Sequence, residues 1–463
     1  MVVAGTRPEV IKLAPVIRAA EKGEDVETVF VGSGQHYDVE MFDNFVKELE
    51  LPKPTCYLKT GSGTQAEQTS KILVESEKVL EEFKPDMVLV EGDTNTVLAV
   101  GISAVKLRIS LGHVEAGLRS YDRSMPEEIN RTLVATCAEL HFAPTEKAAL
   151  NLIYEGITPW KIYLTGNTIV DACLQHVEIA GKKSKIMEEL GLKRGGFILV
   201  TLHRVENVDR KEKFSQIIEA FIELKELPLI FPIHPRSRKM LERFDLALKV
   251  EEAGHIKLVK PLGYLDFLWL LNNCAVVLTD SGGVQEEALT LKVPCVTLRD
   301  STERPETVMV GGNILVGARK EKIVETTCKI LGDEEFRDRL KNIENPLGDG
   351  KAGKRIVEIC KKEIEGREKR ERSEPSLLET GLLSFMILPV KAFNKITVKE
   401  LEEKMQVKIT AIYNEDGEPE FFDKETVIKK GTFLRLKGEK QYLIKTQKMN
   451  NKEHKNFKKN SGF

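Results

Sequence analysis

The feature that most restricts the fold of this 463-residue chain is an alternation of short apolar segments and amphipathic segments from residue 1 to about 365. The apolar segments are rich in β-branched residues and apolar on both faces, as buried parallel strands are. The segments between them have helical spacing; residues 67–83 place Ile72, Val79 and Phe83 on one stripe. Strands that alternate with helices predict a doubly wound parallel α/β fold. The predicted strands are 28–31, 87–90, 109–114, 162–164, 198–202, 229–233, 256–259, 275–279 and 295–298.

The number of predicted strands is too large for one sheet, so we expect two parallel-sheet domains. A polar, Lys-rich stretch at 166–193 separates the two sets of strands and is the expected boundary. A charged linker at 367–382 follows, and after it the pattern changes to a small α+β module. Its predicted elements are strands at 385–390, 408–413 and 432–437, a helix at 398–405 and a turn at 414–417. The Lys- and Asn-rich residues 447–463 are predicted to be a disordered tail.

Composition excludes several classes of protein. The net charge of −2 gives no general electrostatic reason to bind nucleic acid or an acidic membrane. No apolar run approaches the ~20 residues of a bilayer span, and no secretory signal precedes the first strand. The seven cysteines are dispersed without a C-x-x-C pair, which is typical of reduced intracellular thiols. These observations predict a soluble cytoplasmic protein.

Two glycine-containing turns are candidate phosphate sites. A dinucleotide fingerprint is absent, because Gly32 and Gly34 lack the third glycine. The sequence GTRP at 5–8 follows the first strand and begins a helix, where Arg7 is placed to hold a phosphate and Lys12 faces the same way one turn later. An ordinary surface arginine explains this pattern as well.

The second turn, DSGG at 280–283, lies between a strand at 276–279 and a helix at 284–290. Small residues let backbone amides approach an anion, and the carboxylates of Glu286 and Glu287 one turn later suit a sugar diol. A plain strand–helix turn with ordinary acids at the start of the helix is the alternative, and both interpretations stay open at this point.

Charged and histidine side chains follow four predicted strands at their carboxyl ends, where open parallel sheets bind ligands. Any one of them could be a helix cap or a surface residue, but together they predict a cleft lined by acids from the first half and by His and Arg from the second. No set has the tight spacing of metal ligands, so general acid/base chemistry with diphosphate binding is preferred over a metal site. The residues are Glu91, Asp93, His113, Glu115, His203, Arg204, His234 and Arg236.

A longer set of motifs over roughly the first 366 residues resembles the non-hydrolysing UDP-N-acetylglucosamine 2-epimerases. These motifs are GTRPEVIKLAPV (5–16), GQH (34–36), EGDTNT (91–96), GHVEAGLRS (112–120), MPEEINR (125–131), FAPTEKA (142–148), TGNTIVDA (165–172), TLHRVEN (201–207), PIHPRS (232–237), LTDSGGVQEEA (278–288), RDSTERPE (299–306) and NPLGDGKA (345–352).

The resemblance implies two Rossmann-like domains that face a cleft, at 1–168 and 169–350, as in glycosyltransferases of the two-Rossmann type. It also implies a helix at 351–366 that returns to the first domain. Members of the family have a longer first strand than the residues before Gly5 provide, so either the strand is short here or the true start of the chain lies upstream. The resemblance further implies a homodimer.

The implied reaction interconverts UDP-GlcNAc and UDP-ManNAc without NAD, metal or another cofactor, and supplies ManNAc units for surface polysaccharide or glycan synthesis. UDP leaves to give a 2-acetamidoglucal and then adds back. Asp93, Glu115 and Glu127 are the implied acid/base groups, with the order of their roles left open, and His203 contacts the diphosphate or positions the sugar. Gln35 and His36 match part of an allosteric UDP-GlcNAc site. The implied substrate-binding residues are Arg7, Lys12, Arg131, His234, Ser281, Gly282, Gly283 and Glu287.

Residues 383–446 resemble the C-terminal domain of TrkA-type potassium-uptake regulators, which implies a small-ligand effector or dimerisation. Two other functions remain as alternatives. A nucleotide-sugar glycosyltransferase would need an acceptor site and leaves three acids near the expected C1–C2 position unexplained. A non-catalytic UDP-sugar sensor has no need of Asp93, Glu115, Glu127 and His203.

Overall fold

The structure is a computed structural model that describes every residue except 24, 35–38, 62, 368–384, 394, 415–418, 439–441, 444, 448 and 451–463. Gln35, His36, most of the predicted 414–417 turn and nearly all of the predicted linker therefore lie outside the described residues. The chain forms two compact units. The first comprises Met1–Lys47, Leu51–Gly166 and Lys351–Phe463, and the second comprises Glu48–Glu50 and Asn167–Gly350.

The first unit contains a seven-stranded parallel sheet of order β3-β2-β1-β4-β5-β6-β7. Strands β4 and β5 are buried along their whole length, as their apolar sequences predict. The elements through residue 166 are β1 (Val2–Ala4), α1 (Arg7–Glu21), β2 (Phe30–Gly32), α2 (Val39–Glu48), β3 (Cys56–Tyr57), α3 (Gln65–Phe83), β4 (Met87–Glu91), α4 (Asn95–Lys106), β5 (Ser110–Val114), α5 (Pro126–Cys137), β6 (Leu140–Ala143), α6 (Glu146–Tyr154), a 3-10 helix (Pro159–Lys161) and β7 (Ile162–Leu164).

The strand order reverses between β1 and β4, so the loops that follow these strands diverge at the carboxyl edge of the sheet. The first of these loops contains Gly5, where a Cβ atom would lie 2.3 Å from Ser33 Oγ and 2.4 Å from Thr96 Oγ1. Only glycine fits there, and its small size brings the start of α1 close to the start of α4. This edge is where a doubly wound sheet places its ligand site.

The second unit contains a six-stranded parallel sheet of order β10-β9-β8-β11-β12-β13, with its reversal between β8 and β11. Its elements are α7 (Thr168–Lys183), α8 (Ile186–Glu189), β8 (Ile198–Thr201), α9 (Val205–Val208), α10 (Lys211–Glu223), β9 (Leu229–Pro232), α11 (Pro235–Arg243), α12 (Ala247–Glu252), β10 (Ile256–Val259), α13 (Tyr264–Asn273), β11 (Val276–Thr279), α14 (Gly282–Thr290), β12 (Cys295–Thr297), α15 (Pro305–Met309), β13 (Asn313–Leu315), α16 (Lys320–Gly332) and α17 (Glu334–Asn342).

The remaining elements belong to the first unit. Helix α18 packs on α1, where a Cβ on Gly353 would lie 2.7 Å from the carbonyl carbon of Pro15. A four-stranded antiparallel sheet of order β14-β17-β15-β16 follows and forms, with α19, the C-terminal module (the described residues of 385–450). These elements are α18 (Ala352–Arg367), β14 (Phe385–Pro389), α19 (Val398–Met405), β15 (Lys408–Tyr413), β16 (Pro419–Glu420) and β17 (Phe433–Lys437).

The predicted fold class, two parallel α/β domains followed by a small α+β module, is confirmed. Strands β3, β6, β13 and β16 were not predicted. The start of the predicted tail also differs from the structure. Asn450 is buried, and its side-chain oxygen accepts hydrogen bonds from the amides of Lys391 and Ala392 at 3.0 Å each. Within the described residues, no helix is both long and apolar enough to cross a membrane.

Candidate active site

The acids of the first unit lie at the carboxyl ends of β4 and β5. Glu91 is the last residue of β4 and is paired in register with Val114, the last residue of β5. Asp93 follows two residues after Glu91. Glu115 follows β5 directly and has a left-handed φ of 64°, a conformation that is uncommon for a residue other than glycine and is often found at functional sites. Two adjacent strands therefore deliver three carboxylates to one edge of the sheet.

Lys12 of α1 lies between two of these carboxylates. Its Nζ is 3.0 Å from Glu91 Oε1 and 2.5 Å from Glu115 Oε2. Burial raises the pKa of Glu91 well above its usual value; Lys12 opposes that shift, and the nearby carboxylate of Glu115 adds to it. One ammonium group thus lies between two carboxyl groups, and burial favours the protonated form of Glu91.

Asp93 has a separate cation. Arg131 of α5 forms an ion pair with the Asp93 carboxylate, and its Nη1 lies 3.1 Å from Glu128 Oε2. The Asn130 side chain donates to the Asp93 carbonyl at 2.9 Å. Burial raises the pKa of Asp93, whereas the charge of Arg131 lowers it. A carboxylate held between these opposing influences is suited to gain and lose a proton during a reaction.

The two neighbouring glutamates of α5 differ in their surroundings. Glu127, an implied acid/base group, is exposed. Glu128 is buried and accepts hydrogen bonds from the amides of Ser120 and Tyr121 at 2.9 and 3.1 Å. Glu128 is not among the predicted site residues, although its spacing of three residues from Arg131 on a helix indicates an ion pair. The catalytic role of Glu127 stays a prediction.

Glu9 joins the loop after β1 to the loop after β4. Its carboxylate accepts from the Gly5 amide, from the Thr6 amide at 3.1 Å and from Thr94 Oγ1 at 2.5 Å. Two backbone donors near the start of α1 are therefore already satisfied by this capping carboxylate. The guanidinium of Arg7 lies 5.2 Å from the ring centroid of Phe45. The phosphate-binding role implied for Arg7 stays a prediction.

The position of Glu9 predicts a pH dependence of stability. Burial raises its pKa from 4.5 to about 7, so between these values the folded protein retains a proton that the unfolded chain has lost. The free energy of unfolding therefore falls as the pH rises through this range, and the loss is complete above pH 7. We expect Glu9→Gln to remove this contribution. Between pH 4.5 and a pH above 7, the free energy of unfolding measured by urea denaturation should then fall by about 3 kcal/mol less in the variant than in the wild type.

Glu67 provides a matched control for this measurement. It occupies the same capping-box position in α3 but is fully exposed, and hydrogen bonds from the Thr64 amide and hydroxyl lower its pKa. Glu67→Gln should therefore leave the pH dependence between 4.5 and 7 unchanged. If the free energy of unfolding depends on pH in the same way in wild type and Glu9→Gln, Glu9 does not hold the proton.

The histidine at the end of β5 has a structural position. His113 is buried, and its Nε2 lies 2.8 Å from the Gly92 carbonyl oxygen. Burial lowers its pKa to about 3, so the ring is neutral at ordinary pH. The ring links β5 to the loop that carries Asp93, and this contact supports the shape of that loop.

Asp280 organises the corresponding edge of the second unit. Its buried carboxylate accepts from the amides of His203 and Arg204, at 3.0 and 2.8 Å, and lies 3.3 Å from His203 Nδ1. The rings of His203 and His234 are 5.8 Å apart between centroids. Burial lowers the pKa of His203, although Asp280 opposes this shift. The structure thus brings both predicted histidines together, with a carboxylate that fixes the backbone beside them.

The DSGG turn leaves space at its glycines. Helix α14 begins at Gly282, and the Ser281 amide donates to Thr279 Oγ1 at 2.9 Å. A Cβ on Gly283 would meet no atom within 4 Å, and one on Gly282 would meet only Glu303 Oε2 at 3.9 Å. Open space at the start of a nine-residue helix is compatible with an approaching anion.

The two acids of α14 are both buried but have different partners. Glu286 pairs with Arg304, whose Nε lies 2.5 Å from Oε1. Burial raises the pKa of Glu287 to about 7, and Glu286 adds to the shift while the Tyr264 hydroxyl opposes it. A partly protonated carboxyl group can both donate to and accept from a diol. The ribose-binding role implied for Glu287 stays a prediction.

Arg299 is the centre of a further polar cluster. It lies in the RDSTERPE motif (299–306) but is not among the predicted site residues. Its guanidinium donates to both carboxylate oxygens of Glu303, at 2.7 and 2.8 Å, and to Glu206 at 2.9 Å. The bidentate pair lowers the pKa of Glu303 to about 2. Because Glu206 is 93 residues away in the chain, spacing alone gave no signal for this contact.

Comparison with known proteins identifies the family of this chain. The sequence profile described as UDP-N-acetylglucosamine 2-epimerase matches residues 18–361. A curated protein of that name from Methanocaldococcus jannaschii is 51% identical over 363 residues, which cover 77% of this chain and 97% of the relative. The chain belongs to the UDP-N-acetylglucosamine 2-epimerase family. The resemblance predicted from the sequence motifs is therefore confirmed.

A second relative and a crystal structure of the first give the same picture. A UDP-N-acetylglucosamine 2-epimerase from Methanococcus maripaludis is 47% identical and covers 77% of this chain and 97% of the relative. A crystal structure of the M. jannaschii enzyme in complex with UDP-GlcNAc and UDP superposes with a TM-score of 0.66 at 51% identity, covering 78% of this chain and 98% of the other. The profile ends before the C-terminal module, so the resemblance of the module to TrkA-type domains stays a prediction.

The acids at the carboxyl edge of the first sheet lie beside cationic side chains. In the part of the chain that the structure describes, no group of three or more His, Cys, Asp or Glu is arranged to hold a metal ion. The acids of the first unit are compensated instead by Lys12 and Arg131. Lys12 forms ion pairs with Glu91 and Glu115 in the structure. Its implied contact with a phosphate stays a prediction.

Proposed function

We propose that this member of the family interconverts UDP-GlcNAc and UDP-ManNAc by elimination and re-addition of UDP. The observation that carries the proposal is the pair of clusters at the carboxyl edge of β4 and β5, namely Asp93 with Arg131 and Glu115 with Lys12. Acid/base groups at this edge suit removal of a proton from carbon, and the M. jannaschii relative at 51% identity is named for this epimerisation.

The proposed reaction has two steps that mirror each other. In the first, a carboxylate takes the C2 proton, the C2–H electron pair forms a C1=C2 double bond, and the C1–O electron pair leaves with UDP. In the second, a UDP oxygen attacks C1 and a carboxylic acid delivers a proton to the opposite face of C2. The two roles are divided among Asp93, Glu115 and Glu127. The raised pKa of Asp93 supports both a basic and an acidic role for that residue.

Departure of UDP places negative charge on the diphosphate. The open glycines of the DSGG turn and the start of α14 support binding of that charge in the second unit. His203 and His234 lie at the same sheet edge, where hydrogen bonds from their rings would add to this stabilisation. Glu287 is proposed to bind the ribose hydroxyls of the nucleotide.

Conversion from both directions tests the proposal. The full chain is incubated separately with UDP-GlcNAc and with UDP-ManNAc, without acceptor or added cofactor, and the sugars are quantified by proton NMR. We expect both reactions to reach the same mixture of the two nucleotide sugars. A glycosyltransferase would convert neither substrate without an acceptor, and a sensor would bind UDP-GlcNAc without turnover. Either result would contradict the epimerase proposal.

We infer that the active form is a homodimer. An apolar stripe at helical spacing supports this state, because Met125, Ile129 and Leu133 on the surface of the first unit are 38%, 43% and 47% exposed. Sedimentation equilibrium should give about twice the chain mass of 52.2 kDa. A mass equal to that of one chain at micromolar concentration would contradict the inference.

Three further predictions from the sequence stay predictions. They are the small-ligand effector of the C-terminal module, the cytoplasmic location and the supply of ManNAc for glycan synthesis.

A further inference from the structure

Both faces of the sheet in the C-terminal module pack against other elements. Successive residues of a strand point to opposite faces. Along β17, Leu434 and Leu436 are buried in the module's own core with Leu401 of α19. Phe433 lies instead in an apolar cluster with residues of α6, and Arg435 reaches the same helix. One face of the sheet therefore builds the module, and the other attaches it to α6.

The contacts with α6 combine stacking, an ion pair and a hydrogen bond. The ring of Phe433 lies 4.6 Å from that of Tyr154, measured between centroids. Arg435 Nη2 is 2.9 Å from Glu146 Oε1, and the Tyr413 hydroxyl donates to the other oxygen of the same carboxylate. Glu146 and Tyr154 are the first and last residues of α6, so the module contacts both ends of the helix.

Helix α6 and its C-terminal cap also hold the loop at 117–121. Asn151 Nδ2 donates to the Gly117 carbonyl at 2.9 Å, and the Tyr121 hydroxyl donates to Asn151 Oδ1 at 2.7 Å. Glu155 accepts two hydrogen bonds from the guanidinium of Arg119, each of 2.6 Å. Charge-assisted bidentate contacts of this kind fix orientation as well as distance.

The backbone of this loop lies directly against the helix. Gly117 has a φ of 86°, and a Cβ at this position would lie 2.1 Å from the carbonyl oxygen of Ala148. Any other residue would collide with the helix backbone, so the loop and α6 are in direct backbone contact here.

The same loop is bonded to the candidate acid/base residues. Glu128 accepts from the amides of Ser120 and Tyr121 and forms an ion pair with Arg131. Arg131 in turn forms the ion pair with Asp93. A continuous series of contacts therefore leads from the module, through α6 and the 117–121 loop, to Asp93.

We propose that the docked C-terminal module positions Arg131 and Asp93 for catalysis by holding α6 against the 117–121 loop. The inference rests on the proposed epimerase function, because its effect on turnover is measured in that reaction. The family profile ends at residue 361, so this support is an addition of the present chain to the family's two-unit enzyme. Arg435, Tyr413 and Glu146 act as positioning residues, since they reach Asp93 only through other groups.

Charge reversal in the full-length protein tests the inference. Arg435→Glu places a second carboxylate against Glu146. We expect kcat for UDP-GlcNAc to fall about 2- to 30-fold, with KM changed less than about twofold. Hydrogen exchange at the amides of Ser120 and Tyr121 should accelerate. The reciprocal variant Glu146→Arg should behave alike, and the double variant, which restores an ion pair, should recover both kcat and slow exchange.

Lys424→Glu is the matched control. This substitution makes the same change of charge inside the module, where Lys424 pairs with Glu402. It should leave kcat and the exchange of the 117–121 amides at wild-type values. If Arg435→Glu fails to fold, Tyr413→Phe removes one hydrogen bond to Glu146 without a change of charge and should shift both readouts in the same direction.

Wild-type kcat and wild-type loop exchange in Arg435→Glu and Tyr413→Phe would overturn the inference. Equal losses in Lys424→Glu would also overturn it, because they would indicate general destabilisation. The exchange measurement is independent of activity. If the wild-type chain does not epimerise UDP-GlcNAc, the proposed function fails. The exchange of the loop amides in Arg435→Glu then still shows whether the docked module holds the 117–121 loop.

Discussion

Asp93→Asn is expected to lower kcat for epimerisation about 10²- to 10⁴-fold while it leaves the Kd of UDP within about threefold of wild type. The amide matches the carboxylate in shape, so Arg131 and the loop after β4 retain most of their packing. It cannot take the C2 proton or return one, and turnover is therefore lost without a matching loss of nucleotide binding. Proton NMR gives kcat, and isothermal titration calorimetry gives the Kd of UDP.

The matched control for this variant is Asp338→Asn. Asp338 is an exposed residue of the second unit that pairs with Lys341 at 2.8 Å, so both kcat and Kd should stay at wild-type values. Equal losses of turnover and UDP binding in Asp93→Asn would mean that Asp93 supports the structure of the site. Wild-type turnover would assign the proton transfers to Glu115 and Glu127 alone.

Lys12→Met is expected to lower the free energy of unfolding by about 3–5 kcal/mol, because it removes the ammonium group shared by two buried carboxylates. Methionine retains the apolar contacts of the lysine stem, so the loss reports on charge rather than packing. Lys12 lowers the pKa of Glu91, so that carboxyl group should then bind a proton more readily, and the deficit should shrink as the pH is lowered. Urea denaturation at pH 5 and pH 8 measures both effects.

Two comparisons make this prediction specific. The double variant Lys12→Met with Glu91→Gln also removes the charge of one of the two carboxylates that Lys12 contacts, and it should recover part of the lost stability. Lys78→Met removes an exposed lysine paired with Glu75 at 2.6 Å and should cost no more than about 1 kcal/mol. If Lys12→Met lowers the free energy of unfolding no more than Lys78→Met does, Lys12 does not stabilise the buried carboxylates as proposed.

The sequence predicted the two parallel sheets well because buried parallel strands are apolar on both faces. Strand β15 and helix α19 have the predicted bounds, and β4 and β5 differ from the prediction by one residue each. The positions of Asp93 and Glu115 could also be predicted, since parallel strands deliver the residues after them to a common edge.

Pairings between distant residues could not be predicted in the same way. Lys12 reaches Glu115 across 103 residues, and Tyr413 reaches Glu146 across 267. Such contacts depend on how elements pack, for which a single sequence has no local signal. Glu128 illustrates the consequence, because its neighbour Glu127 matches the family motif equally well while the structure buries only Glu128 beneath the 117–121 loop.

Reversible loss of the C2 proton is the step on which the proposed mechanism depends, and deuterium incorporation measures it directly. The full-length protein is incubated with UDP-GlcNAc in D2O, and the C2 position of both nucleotide sugars is followed by proton NMR. Elimination and re-addition predict UDP-ManNAc that carries deuterium at C2, and progressive loss of the C2 proton signal from UDP-GlcNAc. Formation of UDP-ManNAc that retains its original C2 proton would contradict the mechanism.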